Sequence, residues 1–338
     1  MAIFIILGIP LLLAAGAFII KRDRLFGVIN CLGYFVVLCS SIVIFKETAL
    51  VGHIKALFNF IYLDLLSVVF ILVTAIVAFA AALYSVAYIS KDIEQKIISG
   101  KKGKFYYLLF NLFCFSMFCV PAVNNLGMLW VAIEMTTLIS AFLVGFYNSK
   151  ESVEAAWKYI IICSVGITFA LLGTILFSYA FSISGLSKTL NWSDMLPVAH
   201  VLDKNILKIA FIFILVGYGT KAGLAPMHSW LPDAHSQAVA PISALLSGVL
   251  LKTAIYAILR FGIIIIKSGE LAYFTHLMIL FGVISLVISS GFILVQKDLK
   301  RLLAYSSIEH IGIISIGFGL GSPLAIAGAI LHVFNHAV

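Results

Sequence analysis

The chain has 338 residues, 63% of them hydrophobic and only 11% charged, with a mean hydropathy of +1.16. Soluble domains carry about 25% charged and roughly 45–50% apolar residues, and a membrane β-barrel would show short alternating segments. What remains is an all-α integral membrane protein. The formal net charge of +8 does not point to nucleic acid, because the lysines and arginines sit in short loops between apolar runs, where they set topology.

The first apolar run, 2–20, is followed rather than preceded by its positive charges, Lys21, Arg22 and Arg24, and has no small-residue cleavage site. It reads as a transmembrane helix rather than a signal peptide. With about 20 residues needed to cross the hydrocarbon core, further spans are predicted near 25–45, 62–89, 105–123, 126–148, 157–181, 206–223, 241–266, 272–295, 302–320 and 323–338, about eleven in all. No long polar linker divides them. The loops at one side hold Lys21, Arg22, Arg24, Lys91, Lys96, Lys101, Lys102, Lys104, Lys150, Lys297, Lys300 and Arg301. The other side holds only Lys46, Lys55, Lys188, Lys204 and Lys267. The first group is therefore expected in the cytoplasm and the N-terminus outside.

Cys31, Cys39, Cys114, Cys119 and Cys163 lie within apolar runs and form no CxxC pair, so no local signature for zinc, an iron–sulfur cluster or a redox dithiol exists. With no nucleotide-binding glycine motif after a strand either, no redox cofactor is expected on this chain.

The interrupted stretch from Gly217 to Pro241 stands out, with Lys221, His228, Asp233 and His235 set among Pro226, Pro232 and Pro241. Broken backbone and ionisable groups at membrane depth are tolerated only when buried in protein or lining a wet cavity. Discontinuous helices of this kind build transporter sites. The break is predicted to end on the cytoplasmic side, between spans seven and eight.

Other ionisable residues fall inside spans. Glu134, followed by Thr136 and Thr137, lies a third of the way through span five; a structural ion pair competes there with a proton-relay role, which the hydroxyls favour. Lys252 is mid-span, too deep to snorkel, whereas Lys221 near a helix end could. Desolvation penalises the charged form of an amine, so a lysine at such depth is a candidate switchable proton carrier. Lys158 has Glu154 four residues earlier and reads as a surface pair; Asp64, opening span three, reads as a cap or an interface contact. The histidines cluster late, as His228, His235, His310, His332 and His336. His332 and His336 share a helix face, and without a third convergent ligand they read as proton-wire members rather than metal ligands. Glu309 and His310 point about 100° apart. The segment 131–134, ending in Glu134, faintly echoes 306–309, ending in Glu309, five spans apart, as inverted repeats would.

The run from Lys221 to Ala238, followed by 241–248 and Lys252, resembles the proton-conducting membrane transporter family. That family takes in the antiporter-like subunits of respiratory complex I, Mrp-type antiporters and energy-converting hydrogenases. Supporting matches run from Asp64 to the last residue, and 154–167 and 303–312 look most like component F of the hydrogenase-4 and formate-hydrogenlyase type. The resemblance implies an N-terminal three-helix region (1–104), a complete five-helix half-channel of spans four to eight broken near 221–241 (105–266), and an incomplete inverted second unit (267–338). It implies a relay of Glu134, Lys221, Lys252, His332 and His336, with His228, His235, Glu309 and His310 as secondary candidates. Expected partners are other membrane subunits and peripheral iron–sulfur, hydrogenase-like or dehydrogenase subunits, in the cytoplasmic membrane. Family members are considerably longer, so a second broken helix and its lysine are expected outside this sequence, in a fragment or truncated-frame reading. The expected function is an ion-translocating membrane subunit of a redox-driven complex of the hydrogenase-4 or complex I type, moving protons or exchanging them for sodium, with an Mrp-type cation/proton antiporter subunit and a non-conducting scaffold or truncated remnant as the alternatives.

Overall fold

The computed structural model describes residues 2–20, 23–185 and 189–338; Lys21, Arg22 and Lys188, counted in the predicted topology, lie outside the described residues. Among these residues nine helices are long and apolar enough to cross a membrane, and two shorter apolar helices stand at the ends. In chain order the first are α1 (Ala2–Gly16), α2 (Asp23–Val51), the hairpin β1 (His53–Ala56) and β2 (Ile61–Asp64), α3 (Leu65–Glu94), α4 (Gly100–Ala122), α5 (Leu126–Val144) and α6 (Lys150–Ile183). A short α7 (Trp192–Met195) and a 3₁₀ turn (Leu196–Val201) lead into α8 (Lys204–Ala222), and α9 (Leu231–Gln237) lies in the break. Then α10 (Ala240–Leu245) passes through a π-helical turn (Leu246–Leu250) into α11 (Leu251–Lys267), followed by α12 (Leu271–Ile293), α13 (Leu299–Leu320) and α14 (Pro323–Ala337).

The helices start at polar side chains that take up the first free backbone N–H groups. Asn125 accepts from Gly127 and Met128, Ser149 from Ser152, and Asp203 from Asn205 and Ile206. Asp298 accepts from Arg301 and Ser322 from Ala325. Lipid offers these donors no water, so a cap near the bilayer satisfies them locally, although α12 starts after Glu270 without a side-chain cap.

The hairpin is a departure from the all-helical reading. Its strands pair antiparallel from His53↔Asp64 to Ala56↔Ile61, so span three begins at Leu65 and not near residue 62. The turn is made by Leu57, Phe58 and Asn59 with φ of 47°, 53° and 68°. Two of these are bulky apolar residues that rarely adopt positive φ, which is why no turn signal was legible.

Small residues set the closest helix contact. A Cβ on Gly217 of α8 would lie 2.4 Å from the Ala170 nitrogen and 2.7 Å from the Gly166 carbonyl of α6, so these two backbones touch. Such approach is how helices associate without a hydrophobic driving force. The continuous Ala240–Lys267 span is almost wholly buried at the centre, whereas α12 lies on the flank.

The loops sort into two ends. Asn124 donates to the Asn59 carbonyl and to Ser193, Asn125 bridges Asn191, and Lys208 pairs with Glu270 at 3.0 Å, joining the even-numbered connections. At the other end Tyr147 donates to Asp92, and Asp233 is paired with Lys158 and Arg301. This is the alternation expected of a chain crossing a membrane repeatedly.

Candidate functional site

Helix α8 ends at Ala222, where Gly223 adopts φ +77°, a left-handed stop. Lys221, two residues before it, is completely buried. Its ammonium donates to Thr137 Oγ1 at 2.7 Å and to the Tyr159 hydroxyl at 2.6 Å, and sits 4.8 Å from the Tyr159 ring centroid. Tyr159 shares a hydrogen bond with Ser140 at 2.7 Å and packs against Trp230, ring centroids 4.8 Å apart. Trp230 donates from Nε1 to the Thr220 carbonyl at 2.8 Å, satisfying one of the free acceptors at the end of α8. The broken loop is thus tied back onto the helix that it interrupts.

Glu134 lies three residues before Thr137 and so shares its face of α5. Ser164 donates to its Oε1 at 3.4 Å, while Oε2 is buried without a hydrogen-bond partner among the described residues. Glu134 and Lys221 are not among the ion pairs found within 4.0 Å in the described residues. The Thr137 hydroxyl touches the ammonium instead.

Lys252, buried in α11, follows the π-helical turn and donates to the Ser247 carbonyl at 2.9 Å. A π turn is wide, and such turns recur at functional sites. Ser247 Oγ lies 2.7 Å from Ser307 Oγ, connecting this span to α13. One turn on, His310 is 3.0 Å from His332 through Nδ1 and Nε2, and its ring centroid is 4.6 Å from that of His336. The two α14 histidines therefore meet a third from α13, a convergence that their own spacing did not reveal. A cavity of about 480 Å³ lies here, lined among others by His235, Ser243, Ser247, Lys300, His310 and His336. His235 Nδ1 is 3.3 Å from Ser243 Oγ. His228 is half-buried, 6.2 Å from Tyr305 between ring centroids. Glu309 is half-buried and does not line the cavity that its neighbour His310 lines.

A second charged centre, at the end of the bundle that carries the hairpin, pairs two residues 196 positions apart. Arg260 of α11 donates to both carboxylate oxygens of Asp64, at 2.6 and 2.7 Å, to Ser67 Oγ at 2.6 Å and to the Tyr256 hydroxyl at 2.7 Å. Its guanidinium lies 4.3 Å from the Trp192 ring centroid, and Trp192 Nε1 donates to the Arg260 carbonyl at 2.8 Å. Asp64 is also the N-cap of α3, accepting from Ser67 N at 2.9 Å. Burial pushes the Asp64 carboxyl upward, but the Arg260 charge and hydrogen bonds outweigh it and hold the group below its ordinary value. The sequence located Asp64 as a cap or contact, and it gave no sign of Arg260 as its partner. The exposed pair of Lys158 with Glu154, at 2.7 Å, is present as spacing predicts.

Residues 122–338 match the family described as NADH:quinone oxidoreductase/Mrp antiporter, TM. A hydrogenase-4 component F homolog of Methylacidiphilum infernorum (isolate V4) is 42% identical over 303 residues, covering 87% of this chain and 64% of that protein. The chain thus spans less than two thirds of this relative's length. A chain of the membrane-bound sulfane sulfur reductase, an archaeal respiratory membrane complex, superposes with a TM-score of 0.85 at 25% identity, covering 99% of this chain and 68% of its own. A chain of the Mrp complex from Dietzia sp. DQ12-45-1b gives 0.84 at 21% identity, covering 99% and 62%, a likeness of fold alone. With nine membrane-length helices among the described residues, a break after α8 and these likenesses, the chain is a multi-pass membrane protein that belongs to the NADH:quinone oxidoreductase/Mrp antiporter family.

Proposed function

We propose that this chain is an ion-translocating membrane subunit of a redox-driven complex of the hydrogenase-4 or complex I type, moving protons. The observation that carries the reading is Lys221. An ionisable residue at membrane depth is costly and marks a functional path; this ammonium has no carboxylate within ion-pair distance among the described residues and is held by two hydroxyls, from Thr137 and Tyr159. Glu134 stands one turn before Thr137 on α5, and its Oε2 has no hydrogen-bond partner among the described residues. Opening and closing of the Glu134–Lys221 pair changes how firmly the lysine holds its proton. The apartness of the two groups fits the open state of such a pair. Lys252 takes the proton onward, and His310, His332 and His336 continue the route, because imidazole exchanges protons near neutral pH.

In this reading 105–266 forms a complete half-channel and 267–338 begins an inverted second unit. The lysine-rich connections face the cytoplasm, the N-terminus lies outside, and the membrane is the cytoplasmic one. Peripheral subunits carry the redox chemistry and this chain none of it.

The test uses membrane vesicles holding the assembled complex. Lys252→Met and Lys221→Met abolish electron-transfer-coupled pumping while the subunit remains assembled, and Tyr159→Phe slows it. Pumping at the wild-type rate in Lys252→Met sinks the relay and leaves a scaffold. The family match, whose description takes in Mrp antiporters, keeps a cation/proton antiporter subunit as the second reading, and sodium-dependent proton exchange without an electron donor would select it.

A further inference from the structure

At the end of the bundle opposite the hairpin, α2 and α3 leave a groove between them that faces outward. A cavity of about 470 Å³ lies at its mouth, lined by Arg24 at the start of α2 and, at the end of α3, by Val86, Ala87, Lys91 and Glu94 among others. Below the mouth the walls are apolar. Val28, Leu32 and Phe35 follow Arg24 at helical spacing and are exposed, and on α3 Leu83 and Ala87 precede Lys91 in the same way. Phe35 meets Phe79, ring centroids 5.7 Å apart, and closes the floor. None of these residues belongs to the proposed relay.

That ring contact fixes the depth of the charges. At about 1.5 Å of rise per residue, Arg24 stands roughly 16 Å from Phe35 and Lys91 roughly 18 Å from Phe79, both toward the same end. The two cations therefore share one level, and the groove beneath them is one leaflet deep, half of a hydrocarbon core of about 30 Å.

The charges of the mouth are unused within the chain. Among the described residues none of Arg24, Lys91 and Glu94 is in an ion pair within 4.0 Å. Around the break, by contrast, Lys158 and Arg301 are both paired with Asp233. Topology calls for cations on this side, but it does not call for two unpaired ones at one level over an apolar groove. Two cations and one carboxylate leave the mouth with a net positive charge, to which the exposed Lys96, next to the lining Gln95, adds another.

We infer that this groove binds one anionic glycerophospholipid, its phosphate between Arg24 and Lys91 and an acyl chain laid along Val28, Leu32 and Leu83 to the floor at Phe35. Basic pockets between membrane helices bind such headgroups, and a guanidinium takes two phosphate oxygens at once. A monoanionic headgroup neutralises the mouth. A zwitterionic one leaves the positive charge standing, and a free phosphate leaves the apolar walls uncovered.

The experiment is native mass spectrometry of the full chain released from micelles that hold equal amounts of dioleoyl-phosphatidylglycerol and dioleoyl-phosphatidylcholine. Wild type retains one phosphatidylglycerol in preference. Arg24→Gln and Lys91→Gln each reduce that preference by about fivefold, the loss of one cation near a lipid headgroup. Ala87→Trp keeps every charge but fills the groove, and abolishes the preference. Lys267→Gln, at the opposite end, changes nothing. All four side chains are exposed, so the substitutions leave the core intact. No preference in wild type, or one that survives Ala87→Trp or both glutamine variants, overturns the site. Displacement of the lipid by inorganic phosphate at matched ionic strength overturns it too, in favour of a site for the ion alone.

Discussion

Asp64 and Arg260 give the sharpest stability prediction, because their geometry separates the pair from the helix cap. The Arg260 side chain is 4% exposed and that of Asp64 22%. Removing one partner of a buried pair costs about 3–5 kcal/mol, chiefly from the charge left behind. Partial exposure of Asp64 puts Asp64→Asn at the lower end, about 3 kcal/mol. Asparagine still caps α3 through Ser67 N, so this loss belongs to the guanidinium, and Asp64→Ala adds about 1 kcal/mol for the lost cap. The double variant Asp64→Asn/Arg260→Met removes the orphaned charge together with its partner and falls well short of the summed single losses. The coupling is expected at about 2 kcal/mol, against the 0.3–0.5 kcal/mol within which unconnected sites add. Reversible unfolding in mixed micelles, followed by far-ultraviolet circular dichroism, measures all four corners. Coupling below about 0.5 kcal/mol would refute the reasoning.

Two further outcomes follow from the same geometry. The Asp64 carboxyl is held below its ordinary value when folded, so the unfolded chain takes up the proton first as pH falls. Its contribution is fully present above the unfolded value of about 3.9 and is lost as pH falls through the folded one. Stability of wild type should therefore drop in that acid range more steeply than that of Asp64→Asn; parallel pH profiles would contradict it. Gly217→Ala gains about 1 kcal/mol of helix propensity, but its Cβ meets α6 backbone at 2.4 Å, where no side chain can swing aside. Overpacking of about 1–3 kcal/mol or more should dominate, lowering the thermal midpoint, whereas Gly291→Ala in α12, with nothing within 4 Å of its Cβ, leaves it unchanged or higher.

What was legible in the sequence was whatever local physics dictates. Hydrophobic length placed the spans, and the prolines and charges of 217–241 located the break, which is built as Gly223, a loop, α9 and a restart at Ala240. Span six was underestimated as 157–181 because its first turns, from Lys150, carry charges that hydropathy discards, although Ser149 caps them. The hairpin escaped because its turn has neither glycine nor proline. The partner of Asp64 escaped because nothing local links residues 196 apart, and His310 joined His332 only once α13 and α14 were side by side. Burial depth was legible for Lys252 but not for Lys221, where snorkelling stayed open, and the Tyr159 hydroxyl that receives Lys221 was hidden in an otherwise ordinary apolar run.

The placement of these clamps bears on how the central span can work. At the end that carries the hairpin, α11 is fixed by a guanidinium with four side-chain oxygen acceptors and an aromatic face, almost out of contact with water. At the other end, the break is held through Asp233 to Lys158 and Arg301, both about half exposed. Exposed pairs contribute about 0–1 kcal/mol each and weaken with salt, whereas the buried clamp does not. The span is therefore anchored deeply at one end and loosely at the other. The exposed pairs therefore do little to fix the break, whose hold comes from the buried Trp230 indole on the Thr220 carbonyl and the Ala225 N–H on Ser285, while Arg260 fixes the register of α11.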